Sequence, residues 1–100
     1  MALSKSEIKT IKDYFQTKPV LKAFLFGSYT DNRERPESDI DILVELDYSK
    51  HIGLGFVEMK LDLENKLNKK VDLVSSKAVS KYILPFINDN KVLIYERRAG

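Results

Sequence analysis

Cysteine is absent from the 100 residues, which excludes disulfides and thiolate metal sites and fits a cytoplasmic setting. Histidine is almost absent. The one residue, His51, falls in an expected loop between a strand and a helix, where an isolated imidazole is more often incidental than a general base. No stretch approaches the length of a membrane span, and Met1-Ala2-Leu3-Ser4-Lys5 lacks the apolar run of a signal peptide. A dominant charge is missing too. Seventeen basic and fifteen acidic residues leave a net +2, mixed along the chain, so direct nucleic-acid binding is not expected. Only Lys69-Lys70 and Arg97-Arg98 concentrate positive charge, and they read as a solvated helix end and a tail. There is no internal repeat, low-complexity tract or linker. With 43% hydrophobic residues, residues 1–100 are expected to form one domain with no room for a second core.

What is present alternates in period. Ser4-Lys5-Ser6-Glu7 has capping-box spacing, Leu3 and Ile8 are placed for a hydrophobic staple, and Ile8, Ile11 and Phe15 continue one face. A helix over 5–17 follows, ended by Lys18-Pro19. Val20 to Phe26 is an apolar run between Pro19 and Gly27, which suits a buried strand. The polar stretch from Tyr29 to Ser38, with Pro36, reads as a short helical turn and a loop. A second strand is expected over 40–46, a long helix over 54–67 and a third strand over 70–74. Ser75-Ser76 offer caps for a last helix through Val79, Tyr82, Ile83 and Phe86, kinked or split by Pro85 and stopped by Asn88-Asp89-Asn90. Val92 to Tyr95 forms a short final strand. The order α-β-α-β-α-β-α-β predicts an α/β (α+β) fold: a small mixed sheet of three to four strands, partly parallel, flanked by helices.

Three features carry chemistry. The first strand ends in Phe26-Gly27-Ser28: glycine permits a sharp turn and close approach to a ligand, and a helix starting just after it would present free N–H groups to phosphate. Ser38-Asp39-Ile40-Asp41 opens the second strand, so Asp39 and Asp41 project from one face and Ile40 and Ile42 from the other. Adjacent carboxylates repel unless a cation lies between them, and hard oxygen ligands suit Mg²⁺ or Mn²⁺. Asp72 is unexpected inside the apolar run Val71-Asp72-Leu73-Val74. If strand 70–74 lies beside strand 40–46, Asp72 completes a cluster able to hold two metal ions for in-line nucleotidyl transfer, as ligand or as proton acceptor. Each feature alone has an ordinary structural reading: a turn, a solvated strand start, a structural aspartate. Gly-Ser, ten residues and Asp-x-Asp arise together by chance on the order of once in 10⁵ starting positions, which favours the joint reading.

The stretch Phe26-Gly27-Ser28-Tyr29 … Ser38-Asp39-Ile40-Asp41-Ile42-Leu43-Val44 resembles the signature of the DNA polymerase beta-type nucleotidyltransferase superfamily. With Lys70-Val71-Asp72-Leu73-Val74 and the short length, it looks like the minimal nucleotidyltransferases within it, the MntA-like antitoxins of HEPN/MNT toxin–antitoxin pairs. The resemblance spans Val20 to Tyr95. It implies that Gly27, Ser28 and Ser38 bind the nucleotide, that Asp39, Asp41 and Asp72 are catalytic and bind metal, and that ATP is the substrate with two Mg²⁺ ions, or Mn²⁺. It further implies AMP transfer to a tyrosine hydroxyl of a partner HEPN toxin in a hetero-oligomer. The alternatives are an antitoxin that only occludes its partner and a small-molecule nucleotidyltransferase. One departure stands out. The family often follows Gly-Ser with an aromatic, a small residue and Arg-Gly, whereas this chain has Tyr29-Thr30-Asp31-Asn32. Asp31 sits badly beside a triphosphate, and Arg33 or Arg35 is near enough in sequence to compensate. Asn32 tolerates the left-handed conformation that glycine would adopt. Tyr29 is a candidate for packing or nucleotide contact, Tyr82 and Phe86 for the core or a subunit interface, and Tyr48 for the site entrance.

Overall fold

The computed structural model describes residues 3–27, 39–50, 52–82 and 84–97. The expected helical turn at 29–38, with Ser28, Ser38, Asp31, Asn32, Arg33, Arg35 and Tyr29, lies outside the described residues, as do His51 and Arg98.

The elements are α1 (Lys5–Phe15), β1 (Val20–Phe26), β2 (Ile40–Leu46), α2 (Gly55–Leu67), β3 (Val71–Ser75), α3 (Leu84–Asn90) and β4 (Val92–Glu96). The capping box of α1 forms in full. Ser4 Oγ accepts the Glu7 N–H at 3.0 Å and Glu7 Oε1 accepts the Ser4 N–H at 3.1 Å, which satisfies two donors that the helix end would otherwise orphan. At its other end α2 closes on Asn68, whose φ of 54° lets its N–H reach the Glu64 carbonyl, a left-handed stop of the kind Asn tolerates.

The four strands form one mixed sheet in the order β3-β2-β1-β4. β1 runs antiparallel to both β2 and β4, while β2 and β3 are parallel. Parallel neighbours need a crossover, and α2 supplies it. The sheet's two faces are unequal. One carries the main core, where Ala23, Leu25, Ile40, Ile42, Val44, Val71, Leu73 and Ile94 meet Ile11 and Phe15 of α1 and Met59, Leu63 and Leu67 of α2. The other has a small cluster of Phe24, Leu43 and Ile87, flanked by Phe26, Val74 and Val79. Leu63 is fully buried in the main core. Leu63→Ala should cost about 2–5 kcal/mol, read as a lower midpoint of urea unfolding with the slope unchanged.

Two expectations need correction. No helix begins at Ser75-Ser76. Ser75 closes β3, and the Ser76 N–H bonds the Val44 carbonyl at 2.9 Å, so the serines extend the strand ladder. α3 starts at Leu84 with Pro85 in its first turn, where a missing N–H costs nothing, and it ends at Asn90. Tyr82 and Phe86 are not core either: they are 76% and 72% exposed. Among the described residues no helix is long and apolar enough to cross a membrane.

Candidate functional site

The strand register decides what the acidic residues can do together. Phe26 pairs with Asp41 across β1 and β2, and Asp41 pairs with Asp72 across β2 and β3. Neighbouring strands lie about 4.8 Å apart, so the end of β1, Asp41 and Asp72 line up across three adjacent strands. Asp39 stands one residue before β2 and shares the face of Asp41. Ile40, Ile42, Val71 and Leu73 are buried in the main core, so alternation turns Asp39, Asp41 and Asp72 to the opposite face, beyond the Phe24, Leu43 and Ile87 cluster.

Asp39 and Asp72 are exposed and Asp41 is half-buried. Burial, then the negative fields of Asp72 and Asp39, push the Asp41 carboxyl up to about 6. The cost of holding three like charges together therefore falls mainly on the middle one. Gly27 closes the site on the β1 side. Its φ is +77°, and a Cβ there would overlap Asp41 Oδ2 and lie 3.1 Å from Asp41 Cγ. Only a residue without a side chain allows this backbone and this aspartate to coexist. That pairing was not readable in the sequence, which offered a sharp turn or a ligand as the reason for glycine.

Other residues sort clearly. Tyr48 follows β2, at the end of the sheet opposite the carboxylates, and its hydroxyl lies 2.9 Å from Ser75 Oγ, so it is not at the entrance to this cluster. Arg97 is no loose tail: Nη1 binds Asp47 Oδ2 at 2.7 Å and Nη2 donates to the Lys18 carbonyl at 3.1 Å. Among the described residues no three His, Cys, Asp or Glu side chains converge tightly enough to enclose a metal ion by themselves. An open set of carboxylates is what Mg²⁺ shared with a phosphate substrate requires, because that ion takes one or two carboxylates and completes its shell with phosphate and water. The half-buried, charge-crowded Asp41 beside a glycine cradle fits such an ion.

A carboxylate row of this kind, beside a strand ending in glycine, suits chemistry on a phosphate ester. The domain family described as polymerase beta, nucleotidyltransferase, matches residues 9–99. The chain belongs to this nucleotidyltransferase family. A Methanocaldococcus jannaschii protein named as a protein adenylyltransferase is 33% identical over 88 residues, which cover 86% of this chain and 85% of the relative. A solved toxin–antitoxin structure with AMP-PNP contains a chain that superposes with a TM-score of 0.74 at 22% identity, covering 96% of this chain and 76% of that one. A second solved complex, of a tri-AMPylated Shewanella oneidensis HEPN toxin with an MNT antitoxin, gives a TM-score of 0.70 at 20% identity over 94% of this chain and 73% of the other. At those identities the two structures establish a shared fold. The expected small mixed sheet flanked by helices is therefore borne out, with three helices and four strands among the described residues.

Proposed function

We propose that this nucleotidyltransferase moves AMP from ATP to a tyrosine hydroxyl of a partner HEPN toxin and so acts as its antitoxin. The observation that carries the reading is the register of β2 and β3, which sets Asp41 beside Asp72 on the face where Gly27 ends β1. Support for the adenylyl group and for a protein acceptor comes from the relative named as a protein adenylyltransferase and from the AMPylated toxin in the complex of similar fold.

In this reading Gly27, Ser28 and Ser38 hold the triphosphate, with backbone N–H groups and hydroxyls donating to its oxygens. Asp39, Asp41 and Asp72 hold Mg²⁺ or Mn²⁺, which would supply Lewis-acid polarisation of the α-phosphate and charge neutralisation there. The acceptor approaches from the Asp72 side, since Gly27 and the triphosphate occupy the β1 side. Its oxygen bonds to the α-phosphorus while the bond to the bridging oxygen breaks, and pyrophosphate leaves with the electron pair. Asp72 is placed to accept the hydroxyl proton.

Intact mass of the partner toxin, coexpressed with wild type or with Asp39→Ala/Asp41→Ala, tests this directly. Adenylyl-sized increments on the toxin that vanish with the double variant are expected. An unmodified toxin that is still bound and still silenced by wild type would replace the enzymatic account with occlusion.

A further inference from the structure

Lys69 and Lys70 look equivalent in the sequence, and the structure separates them. Lys69 Nζ lies 3.0 Å from Glu7 Oε2, tying the turn after α2 to the first turn of α1. Lys70 is exposed. Among the described residues no ion pair, side-chain hydrogen bond or ring contact engages its ammonium. Its backbone, by contrast, is fixed: the Lys70 carbonyl accepts the Ile40 N–H at 2.9 Å.

That bond sets where Lys70 stands. Val71 pairs with Ile40 and Asp72 with Asp41, so Lys70 comes beside Asp39 where the parallel pair begins. Val71 is buried; alternation therefore sends the Lys70 side chain to the face of Asp72, two residues on. By register Lys70 falls beside Asp39, one residue before β3, with β2 between it and Gly27. In the transfer reading a triphosphate tail held at Gly27 would lie on the far side of the carboxylates, and the phosphate nearest Lys70 would be the one transferred.

We propose that Lys70 is a catalytic residue of nucleotidyl transfer, its ammonium contacting the non-bridging oxygens of the α-phosphate as that group passes to the acceptor. The inference rests on the transfer reading above. As the acceptor oxygen bonds to phosphorus and pyrophosphate departs with the electron pair, negative charge spreads over the oxygens that stay on the transferred group. A cation at that position gives more to this state than to bound ATP. With no partner among the described residues, the ammonium is available for that contact.

The test uses the intact complex with its toxin as acceptor, comparing wild type, Lys70→Met, Lys70→Arg, Lys69→Met and Asp39→Ala. Affinity for a non-hydrolysable ATP analogue is measured alongside turnover. Lys70→Met should lower kcat by about 10- to 100-fold, with analogue affinity and the KM for ATP changed by no more than about twofold. Lys70→Arg should restore most of the rate, and Lys69→Met should behave as wild type. The inference is overturned if Lys70→Met keeps kcat within about twofold of wild type, or if Lys70→Arg is no better than Lys70→Met. It is equally overturned if the loss resides wholly in the KM for the toxin or in analogue affinity, which would make Lys70 a binding residue. Asp39→Ala separates the two levels of argument. Full transfer by Asp39→Ala, or no transfer by wild type, removes the carboxylate reading and this inference with it. An inactive Asp39→Ala beside an active Lys70→Met removes the Lys70 inference alone.

Discussion

Asp41→Asn is expected to abolish nucleotidyl transfer and, at the same time, to raise the thermal midpoint of the metal-free protein at pH 8. The first effect follows from losing the central carboxylate of the row. An ion positioned by it contributes several kcal/mol to the transition state, so a rate loss on the order of 10³-fold is expected. The second follows from proton linkage. Burial and the fields of Asp72 and Asp39 hold the Asp41 carboxyl at about 6, above the unfolded value of about 3.9. The folded state therefore binds the extra proton between those values, and stability falls as pH rises through that window. Above it the wild type carries the full cost of an ionised, crowded Asp41, which an amide does not. Allowing for solvent screening at a half-buried group, the gain for Asp41→Asn is about 1–2 kcal/mol at pH 8, or several degrees in a chain of this size. It should shrink as pH falls below 6 and vanish below about 4. Millimolar Mg²⁺ or Mn²⁺ with ATP should raise the midpoint of the wild type and leave that of Asp41→Asn nearly unmoved. A destabilised Asp41→Asn at pH 8 would show that the carboxylate holds the fold together and is not a strained site group.

Such opposed effects mark the places where sequence rules and structure part company, and the chain shows why. β1 and β2 were legible to the residue because Pro19 and Gly27 bound one run, and alternation of acidic and apolar residues set the face of the other. β3 was legible to within one residue at each end. The misreading of the segment after it has one physical cause: Ser75 and Ser76 are good helix caps by type, but a strand partner was available. The Val44 carbonyl accepts the Ser76 N–H, and the Ser75 and Tyr48 hydroxyls share a hydrogen bond, so tertiary pairing overrode local preference. The stop read at Asn88-Asp89-Asn90 holds, since α3 ends at Asn90, whose side chain donates to the Phe86 carbonyl at 3.0 Å. On α2 burial divides between neighbouring apolar rows. Met59 joins Leu63 and Leu67 inside, while Val57 and Leu61 face out. One helical face fixes which positions can be buried, but only the sheet beneath decides which of two overlapping rows is.

The site was legible as residue types and not as an arrangement. Asp-x-Asp announces two carboxylates on one face, since strand alternation is local. That Asp72 joins them depends on β3 adding parallel to β2 in a register where Asp41 meets Asp72, and a one-residue slip would have sent Asp72 into the core. The different fates of Lys69 and Lys70 were invisible for the same reason. One is claimed by Glu7 from a distant helix, and the other is set beside Asp39 by the register of the strand that follows it.

Gly27→Ala is the substitution in which these constraints meet, and it should damage stability and transfer together. Two costs are combined at this position. An alanine at φ +77° is in a backbone region that disfavours a Cβ, and that Cβ would collide with Asp41 Oδ2. The backbone part is about 1–2 kcal/mol, and displacing Asp41 adds about 1 kcal/mol or more. Transfer should fall by at least about tenfold, because the aspartate that moves away is the central one. A double-mutant cycle separates the two costs. In an Asp41→Ala background the obstacle is gone, so Gly27→Ala should cost only the backbone part, and the two substitutions should be non-additive by about 1 kcal/mol. Denaturant midpoints of the four proteins give the answer. Additivity within about 0.5 kcal/mol would mean that the conformation alone demands glycine, with the aspartate an indifferent neighbour. Non-additivity would mean that Gly27 is required by the protein's own Asp41 carboxylate before any phosphate arrives. The glycine then positions Asp41 as well as admitting a nucleotide, and the two halves of the sequence motif are one contact in space.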